Sequence, residues 1–118
     1  MRVRRHRRRR RADPVLKLPS RLRLDNVPDE WQRLEGALRA ELAQVGNAAG
    51  RVISLDASGL KDFDSAALSL LLSALRLCGQ DGWQLTLHQA PRELRELARV
   101  YALEHLFWAD APAPAQPA

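Results

Sequence analysis

Apolar and polar residues alternate in Val15-Leu16-Lys17-Leu18 and again in Leu22-Arg23-Leu24, with Pro19-Ser20 between them. That period of two predicts a short hairpin or two edge strands. Over residues 29–45 the period lengthens. Trp31, Leu34, Leu38, Leu42 and Val45 fall at helical spacing, acids occupy the first turn, and Gly46 follows. Val52-Ile53-Ser54-Leu55-Asp56, bounded by Gly50 and Gly59, reads as a strand. Residues 65–78 form a second helix that Gly79 should end. Trp83, Leu85 and Leu87 alternate in a strand over 83–88. Pro91 opens a third helix to about residue 102, with Leu94, Leu97, Ala98 and Tyr101 inward. Leu106-Phe107-Trp108 adds a short strand or packs as an apolar plug.

Strands alternating with helices predict an α/β fold, a mixed sheet of about four or five strands covered by about three helices. The segment from the Val52 strand through the second helix to the Leu85 strand is long enough for a parallel crossover. A chain of 118 residues has room for one domain, placed at 13–108. Residues 1–12 read as a disordered Arg-rich tail. Residues 109–118, with Pro112, Pro114 and Pro117 among alanines, read as an extended one.

The formal charge of +5 is not spread evenly. Residues 1–11 hold eight of the 19 basic residues and no acid, which leaves 11 basic against 14 acidic residues, or −3, for the remainder. A nucleic-acid binder carries its positive charge on the fold, so that class is not expected here. The tail is either a solvated extension or an attachment to an anionic membrane surface. One cysteine, Cys78, cannot form an internal disulfide and fits a reducing compartment. The longest apolar stretch, residues 66–75, is interrupted by Ser69 and Ser73 and is too short to span a bilayer. A cytoplasmic domain is the expectation.

The sequence offers little catalytic chemistry. It contains no phosphate-binding glycine loop, no His-Glu-x-x-His and no Gly-x-Ser-x-Gly elbow. His6, His88 and His105 are scattered, and His88 reads as a surface or half-buried residue rather than a ligand. Asp56, Asp62 and Asp64 cluster after the central strand, but carboxylates alone hold magnesium only with phosphates or further ligands. No metal, cofactor or enzymatic activity is expected.

The informative stretch runs from Leu55-Asp56 through Phe63-Asp64-Ser65-Ala66-Ala67. Asp64 or Ser65 is expected to cap the helix that follows, by accepting hydrogen bonds from its free amides. On a wheel of about 100° per residue, Ser65, Ser69, Ser73, Arg76 and Gln80 share one narrow arc. The remaining arc, roughly 240°, is Ala, Leu, Cys or Gly, wider than the stripe of somewhat over 100° that packing on a sheet requires. Ala67, Leu71, Ala74, Leu75 and Cys78 suffice to cover a sheet. Ala66, Leu70 and Leu77 on one flank, with Leu68 and Leu72 on the other, exceed that need. Either neighbouring helices cover these flanks, or one flank and the serine stripe meet another protein.

The order hydrophobic strand, Asp56, Asp64-Ser65 and a leucine-rich helix resembles the STAS domain, named after sulphate transporters and anti-sigma factor antagonists. The resemblance covers about residues 15–107 and includes Gly82-Trp83-Gln84-Leu85-Thr86-Leu87 and the segment from Pro91 to Phe107. It implies a single STAS-like domain that works by binding. Two branches of the family differ in what they imply. In anti-sigma factor antagonists the serine after the aspartate is phosphorylated by a partner kinase, which makes Ser65 the phosphoacceptor candidate. The Ser-Gly-Leu-Gly run usual there is replaced by Ser65-Ala66-Ala67-Leu68. The small STAS subunit of Mla-type ABC phospholipid transporters, of the toluene-tolerance kind, is similar in the Asp-Ser/Thr-x-x-Leu-x-Leu-Leu-Leu run and in Leu97-Ala98-Arg99-Val100-Tyr101-Ala102-Leu103. That likeness implies an accessory subunit at the inner membrane's cytoplasmic side. It would bind the transporter's ATPase subunit, and through it the permease, by Asp64, Ser65, Leu68, Ser69, Leu72, Ser73 and Arg76. The Arg-rich start matches neither branch.

Overall fold

A computed structural model describes residues 14–44 and 52–111. In chain order the elements are β1 (Val15–Lys17), β2 (Arg21–Leu22), α1 (Val27–Leu42), β3 (Val52–Asp56), β4 (Asp62–Phe63), α2 (Ala66–Gln80), β5 (Gln84–His88), α3 (Arg92–Val100) and α4 (Glu104–Phe107). The α/β class is the one expected. Strands β1, β3 and β5 form one sheet in that order, and β2 and β4 form another. Every pairing among the described residues is parallel, with Leu16 beside Leu55 and Leu55 beside Leu87.

Of the hairpin and the two edge strands offered by the sequence, β1 and β2 are the edge strands, and the five strands form two parallel sheets rather than one mixed sheet. Pro19-Ser20 does not turn β1 back upon itself. It steps the chain from the first sheet into the second, where the Ser20 carbonyl accepts hydrogen bonds from the N–H groups of Lys61 (2.8 Å) and Asp62 (3.0 Å). Two-residue strands carry too little alternation to announce such a partner.

Alternation sorts the larger sheet into two faces. Ile53, Leu55, Leu85 and Leu87 are buried, whereas Ser54, Asp56 and Thr86 are half-buried and Gln84 and His88 exposed. The buried face receives α2, whose Ala67, Leu71, Ala74 and Cys78 are all fully buried. Helix α1 packs against α2 through buried Leu34 and Leu38, with Trp31 and Leu42 partly buried. Each leucine so buried contributes about 1.5–3 kcal/mol of transfer free energy. Burial also pushes the Cys78 thiol pKa up.

The helix ends show local causes. Helix α1 starts at Val27 because Asn26 closes a turn before it. The Asn26 carboxamide accepts from the Arg23 N–H (2.7 Å) and donates to the Arg21 carbonyl (2.9 Å), and Pro28 supplies a helical φ. The helix ends at Leu42, short of the Val45 expected, with the Ala43 N–H donating to the Arg39 carbonyl (3.0 Å). Helix α2 runs through Gly79, expected to end it, to Gln80, and the chain turns at Gly82 with φ 77°. There the Trp83 N–H donates to the Cys78 carbonyl (3.0 Å) and the Gly82 N–H to that of Gly79 (3.1 Å), a Schellman closure. The same closure ends α3: Leu103 N–H donates to Ala98 O (2.8 Å) and Ala102 N–H to Arg99 O (3.0 Å), with Ala102 at φ 59°. Tyr101 precedes this left-handed step, as the C-cap just beyond α3. Expected inside, it is 52% exposed, while Leu94 and Ala98 are fully buried.

Residues 106–108 supply the plug rather than a strand. Phe107 is buried and meets Trp108 edge to face at 6.3 Å. Arg95 of α3 clamps this segment. Its guanidinium donates to Glu104 (2.5 Å) and Asp110 (3.1 Å) and lies 5.4 Å from the centre of the Trp108 ring. Residues 1–12 lie outside the described residues, and of 109–118 only 109–111 are described. None of the described helices is long and apolar enough to cross a membrane.

Candidate protein-interaction site

The loop from β4 into α2 is organised by one carboxylate. Asp64 Oδ1 accepts from the Ala66 N–H (2.9 Å), capping α2, and Oδ2 accepts from the Leu24 N–H (3.1 Å). These backbone donors, Leu24 first and Ala66 second, hold the Asp64 pKa below its ordinary value. Ser65 does not share the task. Its side chain makes no capping hydrogen bond, and the residue is exposed at the helix start. Of the two expected capping groups, Asp64 is the one used, its side chain reaching forward to the first helical amide, that of Ala66.

The expected interaction residues divide between two grooves on α2. Ser65, Leu68, Ser69 and Leu72 line a groove of about 210 Å³ whose other wall is Tyr101 and Leu103. Ser73 and Arg76 fall on a second groove, of about 200 Å³, shared with Trp31, Glu35 and Arg39 of α1. Asp64 anchors the loop above the first groove and lines neither. Val100 (78% exposed), next to Tyr101 in the chain, and Leu24 (75%), whose N–H donates to Asp64, are further exposed apolar residues. Sequence reasoning missed the Tyr101–Leu103 wall because it assigned Tyr101 to the core. The place of Tyr101 as the C-cap, one residue beyond α3, leaves no compositional mark.

The wide apolar arc of α2 is mostly covered by the domain itself. Leu68, Leu70 and Leu77 are 3%, 2% and 6% exposed. Leu70 lies in a cavity with Leu34 and Ala37, and Leu77 lies beside Trp31, so α1 takes that flank. On the other flank Leu103 stands opposite Leu68 and Leu72, and Leu72 stays half-exposed. The surplus read from the wheel therefore shrinks to the groove at the amino-terminal half of α2.

The three loop carboxylates do not converge. Asp56 accepts from the Ser58 N–H (2.9 Å), which is first among the causes that lower its pKa. Asp62 pairs with Arg23 (2.8 Å) and Arg21 (3.6 Å), and Asp64 serves backbone amides. No group of His, Cys, Asp and Glu side chains among the described residues is arranged to hold a metal ion. His88 sits on the open sheet face, its Nε2 within 2.8 Å of the Thr86 hydroxyl and 3.2 Å of that of Ser54.

Exposed serine, apolar floor and aspartate-capped helix stand at the end of a parallel central strand, the arrangement that a family profile tests along its whole length. The profile described as "Mlab, STAS domain" matches residues 6–108. The chain belongs to the STAS family. No curated protein matches it. Membership supports a protein-interaction role in general, as in the anti-sigma antagonist-like members. Within the STAS domain, the groove beside Ser65 is where α2 combines apolar depth with uncommitted hydroxyls.

Proposed function

We propose that this STAS domain is the non-catalytic accessory subunit of an ABC-type phospholipid transport system. It docks on the ATPase subunit through the amino-terminal half of α2, with Ser65 at the centre of the contact. The observation that carries the reading is the groove of Ser65, Leu68, Ser69, Leu72, Tyr101 and Leu103, in which Tyr101 is 52% exposed. Exposed apolar surface of that kind marks contacts with a partner, since solvent exposure disfavours it in an isolated domain. In this reading Ser73 and Arg76 meet the partner at the periphery, and the domain lies against the inner membrane by way of its complex.

Ser65→Asp and Leu72→Arg each bring a charge into this contact, where desolvation costs several kcal/mol. Both variants are expected to fold and to lose co-purification with the ATPase subunit from the native host. Undiminished co-purification of both variants contradicts the proposal.

A second reading, a phosphorylation-switched antagonist of an anti-sigma factor, is favoured by one observation. The Ser65 hydroxyl is exposed and does not cap its helix, so capping does not shield it from a kinase. Against it stand Ala66, Ala67 and Leu68, which crowd the approach where glycines would clear it. Intact mass of the protein from its host decides: one added phosphate, abolished by Ser65→Ala, selects this second reading.

A further inference from the structure

The far wall of the Ser65 groove belongs to a stretch whose backbone is tied to α3 and not to α2. Tyr101 and Leu103 line the groove opposite Leu68 and Leu72. The Tyr101 N–H donates to the Leu97 and Ala98 carbonyls (3.3 and 3.2 Å) and the Leu103 N–H to that of Ala98 (2.8 Å). Among the described residues, no backbone hydrogen bond joins residues 101–103 to α2. Ala102, between the two wall residues, is exposed and held at φ 59°, a conformation that alanine keeps only where its surroundings impose it.

One residue later the chain meets a cluster of charges. The Glu104 side chain is 13% exposed, and two guanidinium groups one turn apart on α3 converge on it. Arg95 Nε stands 2.5 Å from one carboxylate oxygen and Arg99 Nε 3.8 Å from the other. Arg95 also donates to Asp110 (3.1 Å) and lies over the Trp108 ring, so it gathers three residues of the segment that follows the wall. Its helix is a fixed post, because Leu94 and Ala98 are fully buried. A carboxylate shielded from water and shared by two cations holds more firmly than an exposed pair. Buried Phe107 keeps α4 docked by other means, so loss of the charged contact should release the wall and leave the fold.

We propose that the Arg95–Glu104 contact is an ionic latch, which sets the position of the Tyr101–Leu103 wall and so regulates how tightly the Ser65 groove holds its partner. Neither residue lines the groove, and each acts as a positioning residue through the wall beside it. The control of docking rests on the reading of this groove given above, whereas the latch itself is a property of the chain alone.

Tyr101 is the one tyrosine of the chain, so 3-fluorotyrosine places a single fluorine on the wall. In fluorine NMR of the full-length chain, Arg95→Gln should move this resonance toward its position in urea. Arg95→Lys, which keeps a charge over Glu104, should leave it near the native position. Raising sodium chloride from about 0.05 M to about 1 M should shift the native resonance the same way and leave that of Arg95→Gln in place. A merely structural arginine would lower the melting temperature without this salt-dependent displacement. With the purified ATPase subunit at low salt, Arg95→Gln should bind about fivefold more weakly than the native chain, and Arg95→Lys nearly as well as it.

A native resonance indifferent to salt, or one that Arg95→Gln leaves in place, overturns the latch whether or not the subunit binds. If Arg95→Gln fails to fold, the salt titration of the native chain decides. A displaced resonance with unchanged affinity overturns the control of docking. A native chain that does not bind the subunit at all refutes the docking reading and that control with it, while the fluorine shift still supports or overturns the latch.

Discussion

Asp64 and Leu24, separated by 40 residues along the chain, are joined by a hydrogen bond from the Leu24 N–H to the Asp64 carboxylate. The second oxygen of the same group caps α2. One side chain thus ties the turn before α1 to the start of α2.

Asp64→Ala should lower the melting temperature by several degrees at neutral pH, since it removes the cap and the tie together. The pH dependence has a defined sign. The folded pKa of Asp64 is depressed, so its stabilisation is present above the ordinary carboxylate range and is lost as pH falls through the folded value. Melting curves stepped from neutral to acid should show a shallower decline for Asp64→Asn than for the native chain. Identical slopes would disprove a folding role for this carboxylate.

Ser65→Ala tests the other half of the pair. Because the Ser65 side chain makes no capping bond, the melting temperature should change by no more than about 1 °C. A loss comparable with that of Asp64→Ala would mean that the serine caps the helix in solution.

The closures after α2 and α3 share their hydrogen bonds but differ in the residue at positive φ, Gly82 in one and Ala102 in the other. Ala102→Gly should raise stability by about 0.5–1 kcal/mol by relieving the left-handed alanine. Gly82→Ala should lower stability by a similar amount, about 1 kcal/mol, as pure conformational cost, because a Cβ there meets nothing within 4 Å. Urea unfolding of both variants measures the pair. Equal shifts of the same sign would refute the argument.

Legibility followed element length and the reach of each interaction. Strand β3 was readable to both ends, because five alternating residues bounded by glycines leave little choice. Helix α2 was readable as a helix, but its coverage was not: Leu70 and Leu77 are hidden by α1, a neighbour that no helical wheel can supply. Strand β4 went unseen because two residues have no period. Tyr101 was misplaced because the helical spacing was carried one residue past the end of α3 at Val100, onto its C-cap. At the site, Asp64-Ser65 was visible as a pair, while the division of labour between them depends on where the Leu24 amide lies.

The Arg-rich start has a separate prediction. Eight arginines against a body of net −3 should add salt-sensitive affinity for anionic vesicles without contributing to the fold. Co-sedimentation with vesicles containing phosphatidylglycerol should fall for a shortened chain beginning at Asp13, with its melting temperature unchanged. Equal sedimentation at low salt would show that the arginines do not engage lipid.

Cys78, fully buried on α2 with its thiol pKa raised, gives the protein an internal reporter of its own breathing. A reagent such as dithionitrobenzoate needs a solvated thiolate, so it reacts only in the fraction of time that α2 lifts from the sheet. The lag between native and denatured reaction rates is then a protection factor, obtained without introducing any label. Because no other cysteine competes for the reagent, the colour released counts openings of this one helix. Urea should accelerate the reaction smoothly, in step with the population of opened molecules.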